Sequence, residues 1–115
     1  MRLERLRAFA LGLPQTTVVK QWGEHLVFKV AGKMFLITSE EPNVLEGLTL
    51  KCTPDEFDSL TAIEGVTQAP YCAKRHWVRF ADPSVVPEQE LLARIRRSYD
   101  LVVAKLPKKL QATLR

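Results

Sequence analysis

The stretch LVFKVAGKMFLIT, residues 26–38, limits the fold more than any other part of the chain. Two runs rich in β-branched and aromatic residues, LVFKV and MFLIT, flank AGK. Gly32 supplies the permissive dihedral that a tight hairpin turn needs. Strands joined by so short a turn must pair antiparallel. TTVVKQW reads as a further strand, broken by Gly23. EPNVLEG reads as a loop. LTLKC then alternates, with Leu48, Leu50 and Cys52 on one face and Thr49 and Lys51 on the other.

Helical patterns bracket these strands. In residues 2–12 an apolar stripe of Leu3, Leu6, Ala10 and Leu13 recurs at helical spacing. Gly12 reads as a left-handed terminator, and Pro14 prevents continuation. Thr53-Pro54-Asp55-Glu56 is a capping box with proline at the first helical position. It opens a short helix with Phe57, Leu60 and Ile63 inward and Gly65 at its end. VTQAPY is a short extended piece, HWVRF another strand, and Asp82-Pro83-Ser84 a turn. The last helix starts at Pro87, with the stripe Leu91, Ile95, Tyr99, Val102 and Leu106, and Ser98 beside it. Glu90 and Arg94 are spaced as an i,i+4 pair. Lys105, Lys108 and Lys109 are expected at that helix's negative end.

Short connections between strands, with an amphipathic helix at each end, specify an α+β two-layer sandwich. One antiparallel sheet carries the N- and C-terminal helices on one face, and the other face is expected to be wet. The 115 residues suit a single domain over 1–115. No apolar run is long enough to span a bilayer, and Arg5 and Arg7 interrupt what would be a signal sequence. The expectation is a soluble, cytoplasmic monomer. Cys52 and Cys72 fall short of a disulfide framework and are expected to be reduced.

Net charge is only +4, but it is unevenly spread. Residues 94–115 hold seven basic side chains and one acid, whereas residues 38–70 hold seven acids and one lysine. Such asymmetry steers toward a polyanion. YCAKRHWVRF, residues 71–80, concentrates the question. If Val78 and Phe80 face the helices, Trp77 and Arg79 point to the opposite face; the alternative register puts Trp77 inside, where a tryptophan is usually well buried, and Val78 out. In the first register Lys29 and Lys51 turn the same way as Trp77, with Lys33, Lys74, Arg75 and His76 at the margins. Cations neutralise phosphate and an indole stacks on a base, so this face reads as a nucleic-acid contact surface.

LPQTTVVKQWGEHLVFKVAGKMFLI, LTLKC, YCAKRHWVRF and SYDLVVAKLPKK run in an order that resembles the MmcQ/YjbR-like family. The resemblance implies a frataxin-like sandwich, also described as a double wing, and a DNA-binding role. Its site positions here are Lys74, Arg75, His76 and Trp77 in KRHW, and Lys33 at the hairpin tip. Ala73 departs from the polar residue, often Asn, that precedes this motif in the family. Frataxins bind iron through an acidic first helix. Here that helix carries Arg2, Arg5 and Arg7 against Glu4, so the iron chemistry does not follow.

The expected activity is largely non-specific DNA binding by Lys29, Lys33, Lys51, Lys74, Arg75, His76, Trp77 and Arg79. The alternative is a protein-interaction module built around Trp77. A small-molecule site beside Tyr71 and His76 ranks below both. His25, Cys52, Cys72 and His76 include no close pair at zinc-ligand spacing, so no metal and no cofactor is expected. Cys72 and His76 lack the third group that would orient a nucleophile–base pair, so no enzymatic activity is expected.

Overall fold

The computed structural model describes residues 3–21, 25–41, 44–70 and 72–114. The chain runs α1 (Leu3–Leu11), β1 (Thr16–Gln21), β2 (His25–Val30), β3 (Lys33–Glu41), β4 (Val44–Lys51), α2 (Pro54–Thr61), β5 (Val66–Gln68), β6 (Trp77–Phe80), α3 (Glu88–Ala104) and α4 (Lys108–Thr113). A 3-10 turn at Pro83–Val85 precedes α3. The strands form one six-stranded sheet in the order β1-β2-β3-β4-β6-β5, with every neighbour antiparallel. The fold is α+β, with helices packed on the sheet.

Alternation decides which face carries the core. Leu26, Phe28 and Val30 of β2, Leu48 and Leu50 of β4, and Val78 and Phe80 of β6 are buried in one cluster. Leu6 and Ala10 of α1, Leu60 of α2, and Leu91, Ile95, Tyr99 and Val102 of α3 complete it. A buried large side chain contributes roughly 1.5–3 kcal/mol by transfer from water, so this single layer carries most of the stabilisation. α3 crosses β2, β3 and β4, while α2 covers β5 and β6.

A bulge sharpens this contact. Phe28 pairs with Leu36 but Lys29 with Met34, leaving Phe35 as the extra residue. Phe35 and Leu36 are both fully buried, and the Phe35 ring meets Tyr99 edge-on at 5.4 Å. The Tyr99 hydroxyl donates to the Pro14 carbonyl at 2.7 Å, tying α3 to the α1–β1 turn. The buried Ser98 hydroxyl accepts the Lys51 N–H at 2.8 Å and donates to the Phe35 carbonyl at 2.6 Å. The last β3–β4 pair is Leu36–Leu50, so Ser98 continues the ladder where the backbone no longer does.

Several expectations are corrected. EPNVLEG is not all loop: β3 runs to Glu41 and β4 begins at Val44, with Pro42 and Asn43 outside the described residues. Gly12 is not left-handed; the turn after α1 takes its positive φ at Gln15, φ 55°. The β2–β3 turn needs positive φ at both Ala31 and Gly32, 50° and 77°, which matches the right-handed twist of the strands. The C-terminal helix breaks at Pro107. Lys108 and Lys109 therefore open α4 instead of closing α3.

Arg94 does not reach for Glu90. It meets Glu56 at 2.8 Å, and Arg97 meets the same carboxylate at 3.3 Å. Glu56 also accepts the Thr53 N–H at 2.9 Å and donates its own N–H to the Thr53 hydroxyl, completing the expected capping box. Burial works to raise the Glu56 carboxyl, but the Thr53 hydrogen bonds and the Arg97 and Arg94 guanidinium groups outweigh it and leave it below its ordinary value. A carboxyl lowered in the folded state stabilises above the ordinary Glu range and loses that contribution as pH falls through its folded value. Glu56→Gln is therefore expected to cost about 1–2 kcal/mol at neutral pH, the combined scale of a cap and a half-buried pair. Denaturation across the acid range should show a flatter pH profile in the variant. An unchanged profile would remove Glu56 from the acid response.

Candidate functional site

The face opposite the helices holds the central functional candidates, and Lys33, Lys74, Arg75 and His76 lie at its margins. Trp77 and Arg79 alternate with the buried Val78 and Phe80, so both turn to this face. Trp77 is half-buried and pairs across the strands with Lys51, whose ammonium lies 5.9 Å from the ring centroid. Burial lowers the Lys51 pKa first, and the neighbouring Lys105 ammonium lowers it further. Two like charges are thus held together at the end of β4. Lys29 and Lys33 stand at the same end of the sheet, at the β2–β3 turn, because β2 and β4 run the same way. Lys29 is half-buried and Lys33 exposed. Lys74 is exposed in the segment leading into β6. Among the described residues, no carboxylate lies within ion-pair distance of Lys29, Lys33, Lys51 or Lys74.

Arg75, His76 and Arg79 are placed differently from these lysines. Arg75 adopts φ 65° and its N–H is held by the Gln68 side chain at 2.8 Å. Its guanidinium binds Asp58 at 2.9 Å and lies 5.3 Å from the Phe57 ring centroid. It is therefore engaged by α2. The His76 backbone bonds Ala73 and Cys52, extending the β4–β6 ladder beyond Lys51. Arg79 sits mid-face between Ser39, at 3.5 Å, and Gly47. A Cβ on Gly47 would stand 2.8 Å from Arg79 Nη1, so the glycine leaves the guanidinium its seat.

The face is not the wet plane the sequence suggested. Val27 is fully buried there, and Thr49 and Ser39 are nearly so. Pro70 and Cys72, between β5 and β6, form part of the wall of a cleft of about 640 Å³. Its floor is Ile37, Ser39, Thr49 and Arg79, with His25 and Met34 beside them. His25 Nδ1 lies 3.1 Å from the Ser39 hydroxyl. Sequence reading weighs His25 only as a metal ligand and misses Ser39 and Gly47. The available signal is a strand glycine whose register places it beside an arginine of a neighbouring strand. Tyr71 lies outside the described residues.

Both cysteines are free. Burial, then Glu56, pushes the Cys52 thiol up to about 11, against the opposing effect of Arg94. Burial also raises Cys72. Burial thus disfavours the thiolate form of both. Among the described residues, no group of three or more His, Cys, Asp or Glu is arranged to hold a metal ion, and no helix is long and apolar enough to cross a membrane.

None of the curated proteins compared matches the chain. A crystal structure of a Deinococcus radiodurans protein, described as a DUF419 domain, is similar at 28% identity and a TM-score of 0.84, covering 97% of this chain and 86% of that one. A Pseudomonas syringae protein shares the fold at 18% identity and a TM-score of 0.70, covering 88% of this chain and 98% of that one. The family model described as YjbR matches residues 11–101. That match takes in all six described strands, which build this face, and most of α3, and the chain belongs to the YjbR family.

Proposed function

We propose that this protein binds DNA through the lysine-rich end of its sheet, with Trp77 as the stacking residue. The observation that carries this reading is a contrast in how its cations are used. Arg5, Arg75, Arg94, Arg96 and Arg97 are each engaged by a carboxylate. Lys29, Lys33, Lys51 and Lys74 are not, among the described residues; Lys51 lies over the half-buried Trp77 indole, at the end of the sheet that also carries Lys29 and Lys33. Lysines of this kind act as point charges for phosphate. An aromatic face among them suits an unpaired base. Contact of this sort reads charge and shape, so binding is largely independent of sequence. No residue in the reading forms or breaks a bond, and the role is non-enzymatic.

Trp77→Ala separates stacking from charge. The variant is expected to lose about 1–3 kcal/mol of affinity for a single-stranded oligonucleotide, the usual scale of one stacked base. Duplex affinity should change much less, because the lysines remain. Equal single-strand affinity for variant and native protein would remove Trp77 from the contact. A second reading, a protein partner docked on the same end, draws on Trp77 beside Lys51, a residue type enriched at interface hot spots. It predicts a partner released by Trp77→Ala, with no DNA binding by either form.

A further inference from the structure

We infer that the cleft on the strand face is a binding site for a small organic carboxylate with a compact apolar body, anchored by Arg79. Its volume, about 640 Å³, falls in the range of small-molecule sites. It is lined by one cation, a set of hydroxyls and an apolar wall. That composition suits a single planar anionic group joined to a hydrocarbon portion.

The Arg79 side chain is half-buried, and among the described residues its one polar neighbour is the Ser39 hydroxyl at 3.5 Å. A guanidinium carries five donors in a fixed fork, and a half-buried charge without a counter-charge is costly. A carboxylate entering the cleft supplies the missing charge in the bidentate geometry that the fork favours. The Ser39 hydroxyl, 3.1 Å from His25 Nδ1, and the Thr49 hydroxyl, directly across the strands from Arg79, stand ready as further polar contacts. Met34 and Ile37 receive the apolar portion. Gly47 belongs to the same device, since any side chain there would displace the guanidinium. Arg79 lies two residues along β6 from Trp77 on the same face, and the cleft residue Met34 pairs with Lys29, so the cleft adjoins the DNA-binding reading's residues and differs from them in the ligand it takes.

Amide NMR titrations with hexanoate and benzoate test the inference, with hexanamide and inorganic phosphate as comparison probes. Both carboxylates are expected to shift the Ser39, Gly47, Thr49 and Arg79 signals in a saturable manner, and hexanamide and phosphate are not. Arg79→Met should weaken hexanoate binding about tenfold or more, the scale of a charge-assisted contact. Gly47→Ala keeps the charge but moves the guanidinium, and should weaken binding several-fold while signals from α1 and α3 stay in place. Should Arg79→Met fail to fold, Gly47→Ala decides the matter. Absence of shifts with both carboxylates, equal response to hexanamide or phosphate, or native affinity in the variants would each overturn the assignment. DNA binding does not enter this readout, so the two readings fail separately.

Discussion

Replacing Ser98 with alanine is expected to lower the stability of the fold by about 2–4 kcal/mol, because it strands two buried backbone groups at once. Ser98 is fully buried, and its hydroxyl is the partner of both the Lys51 N–H and the Phe35 carbonyl. Alanine removes a donor and an acceptor together. The β3–β4 ladder has already ended at Leu36–Leu50, so no strand neighbour replaces them. The loss should appear as a lower denaturant midpoint with an unchanged slope, since the surface exposed on unfolding is the same. A change below about 0.5 kcal/mol, the scale of an ordinary surface substitution, would show that the hydroxyl does not complete the ladder. Ser98 also bears on the proposed site: it fixes the end of β4, where Lys51 meets Trp77.

The second large effect is on affinity. The combined variant Lys29→Gln, Lys33→Gln and Lys51→Gln should bind duplex DNA on the order of a hundredfold more weakly at low salt, if each lysine releases a counterion when it meets a phosphate. The slope of log affinity against log salt should flatten by about 2–3, near 0.9 for each phosphate that is no longer neutralised. Arg75→Gln serves as the contrast. The sequence groups Arg75 with these lysines, but its guanidinium is engaged by Asp58 and the Phe57 ring. Its removal should leave the slope nearly unchanged. A triple variant with the native slope would contradict the assignment of these three residues.

Much of this arrangement is legible wherever local periodicity and tertiary packing agree. The alternation in HWVRF separates Val78 and Phe80 from Trp77 and Arg79, and the structure gives the core to the first pair. The stripe of α3 and the Thr53–Glu56 capping box likewise follow from spacing alone. What sequence misses depends on contacts between distant segments. Phe35 turns inward through a bulge that strict alternation does not contain. Arg94 is four residues from Glu90 but pairs with Glu56, which also receives Arg97 and the cap, so convergence outweighs proximity in the chain. The cleft depends on Pro70 and Cys72 lying against the strand face, and no sequence pattern around them announces it. For the same reason, Arg79 reads in sequence as one more exposed cation.

The decisive measurement is titration of the native protein with duplex and single-stranded oligonucleotides over a series of salt concentrations. Both are expected to bind at low salt, with affinity falling steeply and linearly on logarithmic axes as salt rises. Failure of both oligonucleotides to bind at low salt would contradict the DNA-binding reading.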